Sequence, residues 1–345
     1  MSGSAFSDPP GHATGQAPLV ARLLADYCQR HGLRLELDPQ IGHAGYVEAP
    51  NGRRSWFKGT HFDLNSLGAA EIAHDKAYAA QFLKNAGFRV PRGVLVSAPA
   101  AIDAMRRRNP VRAEKMTGPD HAQSFAETTG FPVFIKPNDG QEGVDVVKVS
   151  SPYQLETGLA RLFRHHDHLL VQEPVAGRDI RIVVLEGRVL CAIERRAAEA
   201  LGDGVRTVEA LLQAVPAGTR ADPRLLSELA DQNLTLESVP ESGRRVRLLP
   251  AANLSSGGSG SIVTDELCGA FKEIAVSAGA FLGLDYFGLD MLVPDLSDPA
   301  GGYTILEVNA APGLHQLHRL GAAQAAVAEA AYEQVFDAIA RRLVS

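Results

Sequence analysis

The stretch TILEVNAAPGL (residues 304–314), read together with DYFGLDMLV (285–293) upstream of it, decides the fold class. Glu307 and Asn309 are separated by one residue in a β-rich run, and side chains at i and i+2 of a strand share a face. Asp290 lies inside the preceding apolar run. The connection PDLSDPAG (294–301) has the turn residues that an antiparallel hairpin needs. Three oxygen-bearing side chains can therefore converge on one spot. With no Cys or His beside them, they suit a hard, octahedral Mg²⁺ that keeps substrate phosphates among its ligands. Chemistry of that kind belongs to a nucleotide site, placed here near the C-terminal end.

The remaining composition frames that site. A chain of 345 residues, 45% apolar and 21% charged, can bury large cores and is expected to hold two or three domains. A net charge of −6 argues against a nucleic-acid binder, and no run of 18 apolar residues suggests a membrane span. Residues 1–17 are small and Pro/Gly-rich, with neither a basic start nor an apolar core, so they read as a disordered tail rather than a signal peptide. Cys28, Cys191 and Cys268 are an odd, widely spaced set in apolar surroundings, which points to reduced thiols and a cytoplasmic protein.

Helical spacing marks 18–32, 65–87, 100–109, a segment near 265–283, and an Ala-rich run at 320–343. FPVFIKPNDGQEGVDVVKV (131–149) reads as strand, Gly-containing turn, strand. HLLVQEPV (168–175) reads as a buried strand, and DIRIVVLEGRVLCAIERRA (179–197) as a hairpin turning at Glu186-Gly187. Residues 202–245 are polar and partly helical.

Several further residues could carry chemistry. Lys136 ends the strand FPVFIK beside a Gly-containing turn whose exposed N–H groups could cover phosphates. Read alone it favours an ordinary strand-end lysine, and Lys76 on its helix favours a solvated face. Gln172, Glu173 and Val175 end a buried strand whose backbone could pair with an adenine edge or simply connect two elements. Asp179 and Arg181 share a strand face, as an exposed ion pair or as groups for a ribose hydroxyl and for transferred charge. A strict two-residue turn at Glu186-Gly187 would put Arg196, not Arg195, on the face of Arg181. The loop NLSSGG (253–258) reads as a linker or as an anion nest. His165, His166 and His168 (HHDH) read as a solvated cluster on a polar turn.

In this order the signals resemble the ATP-grasp superfamily, with the greatest similarity to the ATP-grasp part of cyanophycin synthetase and of bifunctional glutathione synthetases. GDGVRTVEALL (202–212), ANLSSGG (252–258), VTDE (263–266), GLDM (288–291) and EVNAAPGL (307–314) carry the resemblance, which spans roughly 65–318. It implies an α/β (α+β) ATP-grasp fold: a small N-terminal α/β unit (18–75), a lid subdomain (76–172), and a C-terminal subdomain (173–345) with an insertion at 202–245. The two subdomains would grip ATP between them.

The same resemblance implies the roles. Lys76, Lys136 and the Gly140–Gly143 loop would bind ATP phosphates, Gln172, Glu173 and Val175 adenine, and Asp179 the ribose. Asp290, Glu307 and Asn309 would ligate Mg²⁺, with Mn²⁺ as a substitute. Arg181, Arg195, Asn253, Ser255, Ser256, Gly257 and Gly258 would face an acyl phosphate and the incoming substrate. The implied activity is an ATP-dependent carboxylate–amine ligase joining amino acids or small peptides, working as a homo-oligomer with small-molecule substrates only. The alternatives are a catalytically degenerate nucleotide-binding subunit or a ligase with a non-amine acceptor. Two features depart from the pattern. Asp145 stands where the phosphate-covering loop of such enzymes has a second glycine. The Mur-ligase-like domain and longer front end of cyanophycin synthetase have no counterpart, so synthesis of the branched polymer is not expected of this chain.

Overall fold

The computed structural model describes residues 17–140, 143–213, 215, 223–249, 252, 254 and 257–344. The N-terminal unit begins with α1 (Leu19–His31), which stops at Gly32 in the left-handed conformation. A four-stranded antiparallel sheet follows, with β1 (Arg34–Leu37), β2 (Ala44–Glu48), β3 (Arg54–Lys58) and β4 (His61–Phe62) adjacent in chain order. Val47, Phe57 and Phe62 from this sheet and Leu24, Tyr27 and Cys28 from α1 do not form a core of their own. They pack into one with Val335, Phe336 and Ile339 near the C-terminus.

The helical pattern expected over 65–87 forms two helices, α2 (Leu67–His74) and α3 (Lys76–Asn85). The break is at Asp75, whose extended backbone (ψ 104) and side chain, accepting from the Tyr78 amide at 2.9 Å, make it the N-cap of α3. A capping Asp satisfies an amide that a continuous helix would have paired within itself. The break places Lys76 in the first turn of α3.

A second four-stranded antiparallel sheet follows, in the order β5-β8-β6-β7. Its elements run β5 (Gly93–Ser97), α4 (Pro99–Arg108), α5 (Pro110–Ala113), α6 (Pro119–Thr129), β6 (Val133–Pro137), β7 (Val147–Val149), α7 (Pro152–Leu162) and β8 (His168–Gln172). Val133, Ile135, Val149 and Val171 point to one face and are covered by Ala122, Ala126, Leu155, Leu159 and Leu162 of α6 and α7. By the period of two, Phe134 and Lys136 face the other way. Leu83 of α3 and Ala73 of α2 belong instead to the core of the large C-terminal sheet. The lid expected to begin at residue 76 therefore has its own core only from β5 onward.

That large sheet has the order β13-β10-β9-β14-β15, all antiparallel. It is built from β9 (Arg178–Leu185), β10 (Arg188–Arg196), β13 (Ser259–Ile262), β14 (Tyr286–Val293) and β15 (Thr304–Asn309), and α10 (Gly269–Leu282) covers one face. The opposite face is covered over part of its length by α11 (His315–His318) and α12 (Ala322–Val344), together with the N-terminal unit. Between β10 and β13 the insertion forms β11 (Glu199–Leu201), α8 (Val208–Leu212), α9 (Pro223–Asp231) and β12 (Arg245–Arg247) around Val208, Leu225, Leu229 and Val246. Asp231 of α9 accepts from Lys148 Nζ on β7 at 2.5 Å, joining insertion and lid.

Candidate nucleotide site

Register, more than composition, assembles the site. In the β9–β10 hairpin, Arg188 pairs with Leu185 and Val189 with Val184, but Cys191 then pairs with Val183. Leu190 is thus an extra residue, a β-bulge, and the bulge moves every later side chain of β10 by one position. Arg195 lands opposite Asp179. The register expected from an unbulged two-residue turn, with Arg196 on this face, is corrected by that one residue. Across the other edge of β9, Arg181 pairs with Asp290, and Asp290 pairs in turn with Glu307. A second bulge lies just beyond, between Asp290 and Met291. Asp179, Arg181, Arg195, Asp290, Glu307 and Asn309 therefore line one face of three neighbouring strands and the end of a fourth.

Their side chains form a connected array. Arg181 grips Asp290 in a fork, Nε to Oδ1 and Nη2 to Oδ2, both at 2.7 Å. Arg195 Nη2 reaches Asp290 Oδ2 at 2.8 Å and Asp179 Oδ1 at 2.6 Å, with its Nε 3.0 Å from Asp179. Forked pairs of this kind fix the guanidinium plane as well as the charge. Burial opposes ionisation of Asp290, but the two guanidiniums together outweigh it and hold the carboxyl well below the usual range. Burial pushes Asp179 up to about 6, against the attraction of Arg195. Asp179 was expected to reach a ribose hydroxyl; here it is turned into the array and bound to Arg195.

Glu307 is where the cations meet. Arg181 Nη2 is 3.7 Å from Glu307 Oε1, and Lys76 Nζ is 3.7 Å from Oε2. Asn309 Nδ2 donates to Glu307 Oε1 at 3.2 Å. Lys136, on β6, feels the charge of the same carboxylate. Burial pushes its ammonium down to about 8, an effect that Glu307 opposes and Lys76 reinforces. Lys76 also donates from Nζ to the Gly140 carbonyl. Gly140 is required for room rather than for its backbone angles, since a Cβ there would lie 2.9 Å from Pro137. Gly143 follows with φ 67 and Asp145 with φ 59. The Asp145 carboxylate accepts from His166 Nε2 at 2.9 Å.

The other sequence candidates have definite places. Gln172 is buried at the end of β8, and Val175 is half-buried in the connection to β9. Glu173 binds the Arg92 amide at 2.8 Å and Arg92 Nε at 2.7 Å, so its carboxylate secures the junction of β5 and β8. Gly257 and Gly258 precede β13, while Asn253, Ser255 and Ser256 lie outside the described residues. His168 pairs with Ser97 and His166 with Asp145, so the HHDH residues engage separate partners.

Three residues were missed. Asn65 donates to the carbonyls of Tyr286 (2.6 Å) and Ala310 (2.8 Å) and accepts from the amides of Asp285 (2.8 Å) and Tyr286 (3.0 Å). It ties the start of β14 to the segment after Asn309. Asn138 accepts from the Ala77 amide at 3.0 Å, fastening the lid to the N-terminus of α3. Gly288 makes room for Pro312, whose Cβ is 3.0 Å from where a Cβ would stand. No local sequence signal marks Asn65, because its partners are more than 200 positions away. The NDG turn after Lys136 could have marked Asn138.

The donor set suits a hard cation. Glu307 and Asn309 offer oxygens on the open face. Among the described residues, Asp290 Oδ1 accepts one hydrogen bond, leaving a second lone-pair direction for a metal. The structure superposes on a bifunctional glutathione synthetase from Pasteurella multocida with a TM-score of 0.53 at 21% identity, covering 88% of this chain and 41% of that one. The chain has the ATP-grasp fold. A family model described as D-ala D-ala ligase C-terminus matches residues 104–203. That match lies on the ATP-grasp lid and on the β9–β10 hairpin with its bulge. A cyanophycin synthetase of Crocosphaera subtropica is 29% identical over 267 residues, 71% of this chain and 28% of the relative. The glutathione biosynthesis bifunctional protein GshAB of Mannheimia succiniciproducens is 26% identical over 263 residues, 70% of this chain and 32% of the relative. The chain thus spans about a third or less of the length of these two curated relatives. Among the described residues, no helix is long and apolar enough to cross a membrane.

Proposed function

We propose that the chain is an ATP-dependent carboxylate–amine ligase acting on amino acids or small peptides. A carboxylate oxygen of the first substrate attacks the γ-phosphorus of ATP, and the bond to ADP breaks. An amine then attacks the acyl carbon of the resulting acyl phosphate, loses a proton, and expels inorganic phosphate. An amide, ADP and phosphate result.

One observation carries this reading: Glu307 lies 3.7 Å from both Lys76 Nζ and Arg181 Nη2, and its charge acts on Lys136 as well. Lys76 and Lys136 are the groups that would take up phosphate charge. Arg181 and Arg195 each use Nε and Nη2 on Asp290 or Asp179, and Nη1 of each has no hydrogen bond among the described residues. Those N–H groups are held in fixed directions for the oxyanion of the second step. Mg²⁺ bound by Asp290, Glu307 and Asn309 would neutralise charge on the phosphates. The lid, from β5 through β8, is the part that would close and keep water from the acyl phosphate. The reading includes a cytoplasmic location, where the three free thiols stay reduced, and assembly as a homo-oligomer.

The test is a phosphate-release screen of purified protein with Mg-ATP against pairs of amino acids and dipeptides, with mass spectrometry of the products. Thiols are included as competing acceptors. Phosphate release that needs both a carboxylate and an amine, with a product lighter than their sum by one water, is the expected result. Absence of ADP across the whole panel would overturn it.

A further inference from the structure

The loop joining β6 to β7 is fastened at both ends. At its start, Asn138 Oδ1 accepts from the Ala77 amide, the Asn138 carbonyl accepts from the Lys76 amide at 3.2 Å, and the Gly140 carbonyl accepts from Lys76 Nζ. At its far end, the Asp145 carboxylate accepts from His166 Nε2 at 2.9 Å. His166 is itself anchored, its amide donating to Leu162 at 3.0 Å where α7 ends. Among the described residues, the loop's own backbone adds the Asn138 amide to the His168 carbonyl at 3.2 Å and the Val146 amide to the Gly143 carbonyl at 3.4 Å.

Asp145 adopts φ 59, a left-handed conformation that glycine takes freely and that aspartate tolerates better than most residues. Glycine would fit this position without strain. What aspartate adds is the carboxylate, and that carboxylate is directed to the lid's own α7–β8 connection. Its negative charge, an obstacle if it faced phosphates, is taken up there.

We propose that Asp145 and His166 are a positioning pair that holds residues 143–146, the part of the loop leading into β7, so that the amides there are in place before nucleotide arrives. The consequence for catalysis rests on the ligase reading above; the effect on the loop does not. Preordering a loop removes an entropic cost from binding, so the pair acts on nucleotide affinity rather than on the chemical step.

The test uses Asp145→Gly, which removes the carboxylate and keeps the backbone conformation accessible, and His166→Ala, which removes its partner. Each variant is expected to raise KM for Mg-ATP about tenfold, the loss of one hydrogen bond to a charged group. kcat should stay within about twofold and the thermal midpoint within the variation of surface changes. The double variant should be no worse than either single one. Amide hydrogen exchange over 143–146 in nucleotide-free protein should quicken in both. Unchanged exchange with unchanged KM, or single-variant effects that add, would overturn the proposal. If the wild-type protein makes no product and binds no nucleotide, the ligase reading fails, while the exchange data still decide whether the pair holds the loop.

Discussion

On the proposed role of Lys136 at the phosphates, its lowered proton affinity would make nucleotide binding pH-dependent in a predictable direction. Burial brings the ammonium down to about 8 even though Glu307 favours its charged form. A triphosphate beside it would restore the charge, so binding is coupled to proton uptake. The sign follows: a group whose pKa is raised on binding favours the complex below its free pKa, and that advantage falls away as pH rises through the free value. With a free pKa of about 8, roughly nine-tenths of the protein carries the charge at pH 7 and about 3% at pH 9.5. If only the charged form binds, Kd rises about thirtyfold between those conditions, with a slope near one decade per pH unit above 8. The nucleotide itself adds little to this window, because a terminal phosphate group completes its ionisation near about pH 6. Calorimetry with a nonhydrolysable ATP analogue and Mg²⁺, in buffers of different ionisation enthalpy, reads both quantities. It should show about half a proton taken up per nucleotide at pH 8. Lys136→Arg stays charged throughout and should bind with a flat profile. A flat profile for the wild-type protein, or the same slope in the arginine variant, would refute the reasoning.

Arg195→Ala leaves Asp179 and Asp290 buried with a partner removed, so unfolding should become easier by about 3–5 kcal/mol in denaturant titration. Arg195→Met with Asp179→Asn should recover part of that loss, since one uncompensated charge is removed. Asn65→Ala loses four hydrogen bonds that join β14 to residue 310 and should cost about 2–4 kcal/mol, with a lower thermal midpoint and weaker substrate binding. Glu307→Gln removes the carboxylate that the cations share, and Mg²⁺-dependent phosphate release should fall at least about a hundredfold while the fold persists. Full activity in that variant would remove Glu307 from the site.

What could be read from the chain and what could not divides by the range of the signal. The placement of Asp290, Glu307 and Asn309 on one hairpin was legible because a strand's period of two is local, and a turn-rich linker between two apolar runs announces a hairpin. The β9–β10 hairpin was legible for the same reason, with Glu186 (φ 46) and Gly187 (φ 74) making its turn. Its register was not. Nothing in RVLCAIERR distinguishes Leu190 as the residue left unpaired, yet that bulge decides whether Arg195 or Arg196 faces Asp179. Helical periodicity over 65–87 concealed the break at Asp75, because an N-cap aspartate can also stand as one more polar residue on an exposed helix face. The attachment of the N-terminal unit to α12 had no local mark, since Val47, Phe57 and Phe62 are core residues of any small sheet until their partners are known.

The balance of charge on the sheet face explains why the two aspartates are bound by arginines. Lys76, Lys136, Arg181 and Arg195 stand against Asp179, Asp290 and Glu307, four cations to three carboxylates in surroundings that penalise any unpaired charge. Asp179 and Asp290 resolve most of that by orienting the arginines, while burial, reinforced by Lys76 and opposed by Glu307, lowers the proton affinity of Lys136. The arginines are thereby fixed and the lysines left adjustable. Lys76 and Lys136 stand on elements outside the large sheet, α3 and the lid strand β6, and both lean on Glu307. A polyphosphate arriving with a dication would give the lysines a new anion and Glu307 a new cation. That exchange keeps every buried charge partnered while drawing the lid toward the sheet. On the proposed reading, the rigid half of the array would direct the oxyanion and the adjustable half would recognise that nucleotide is present.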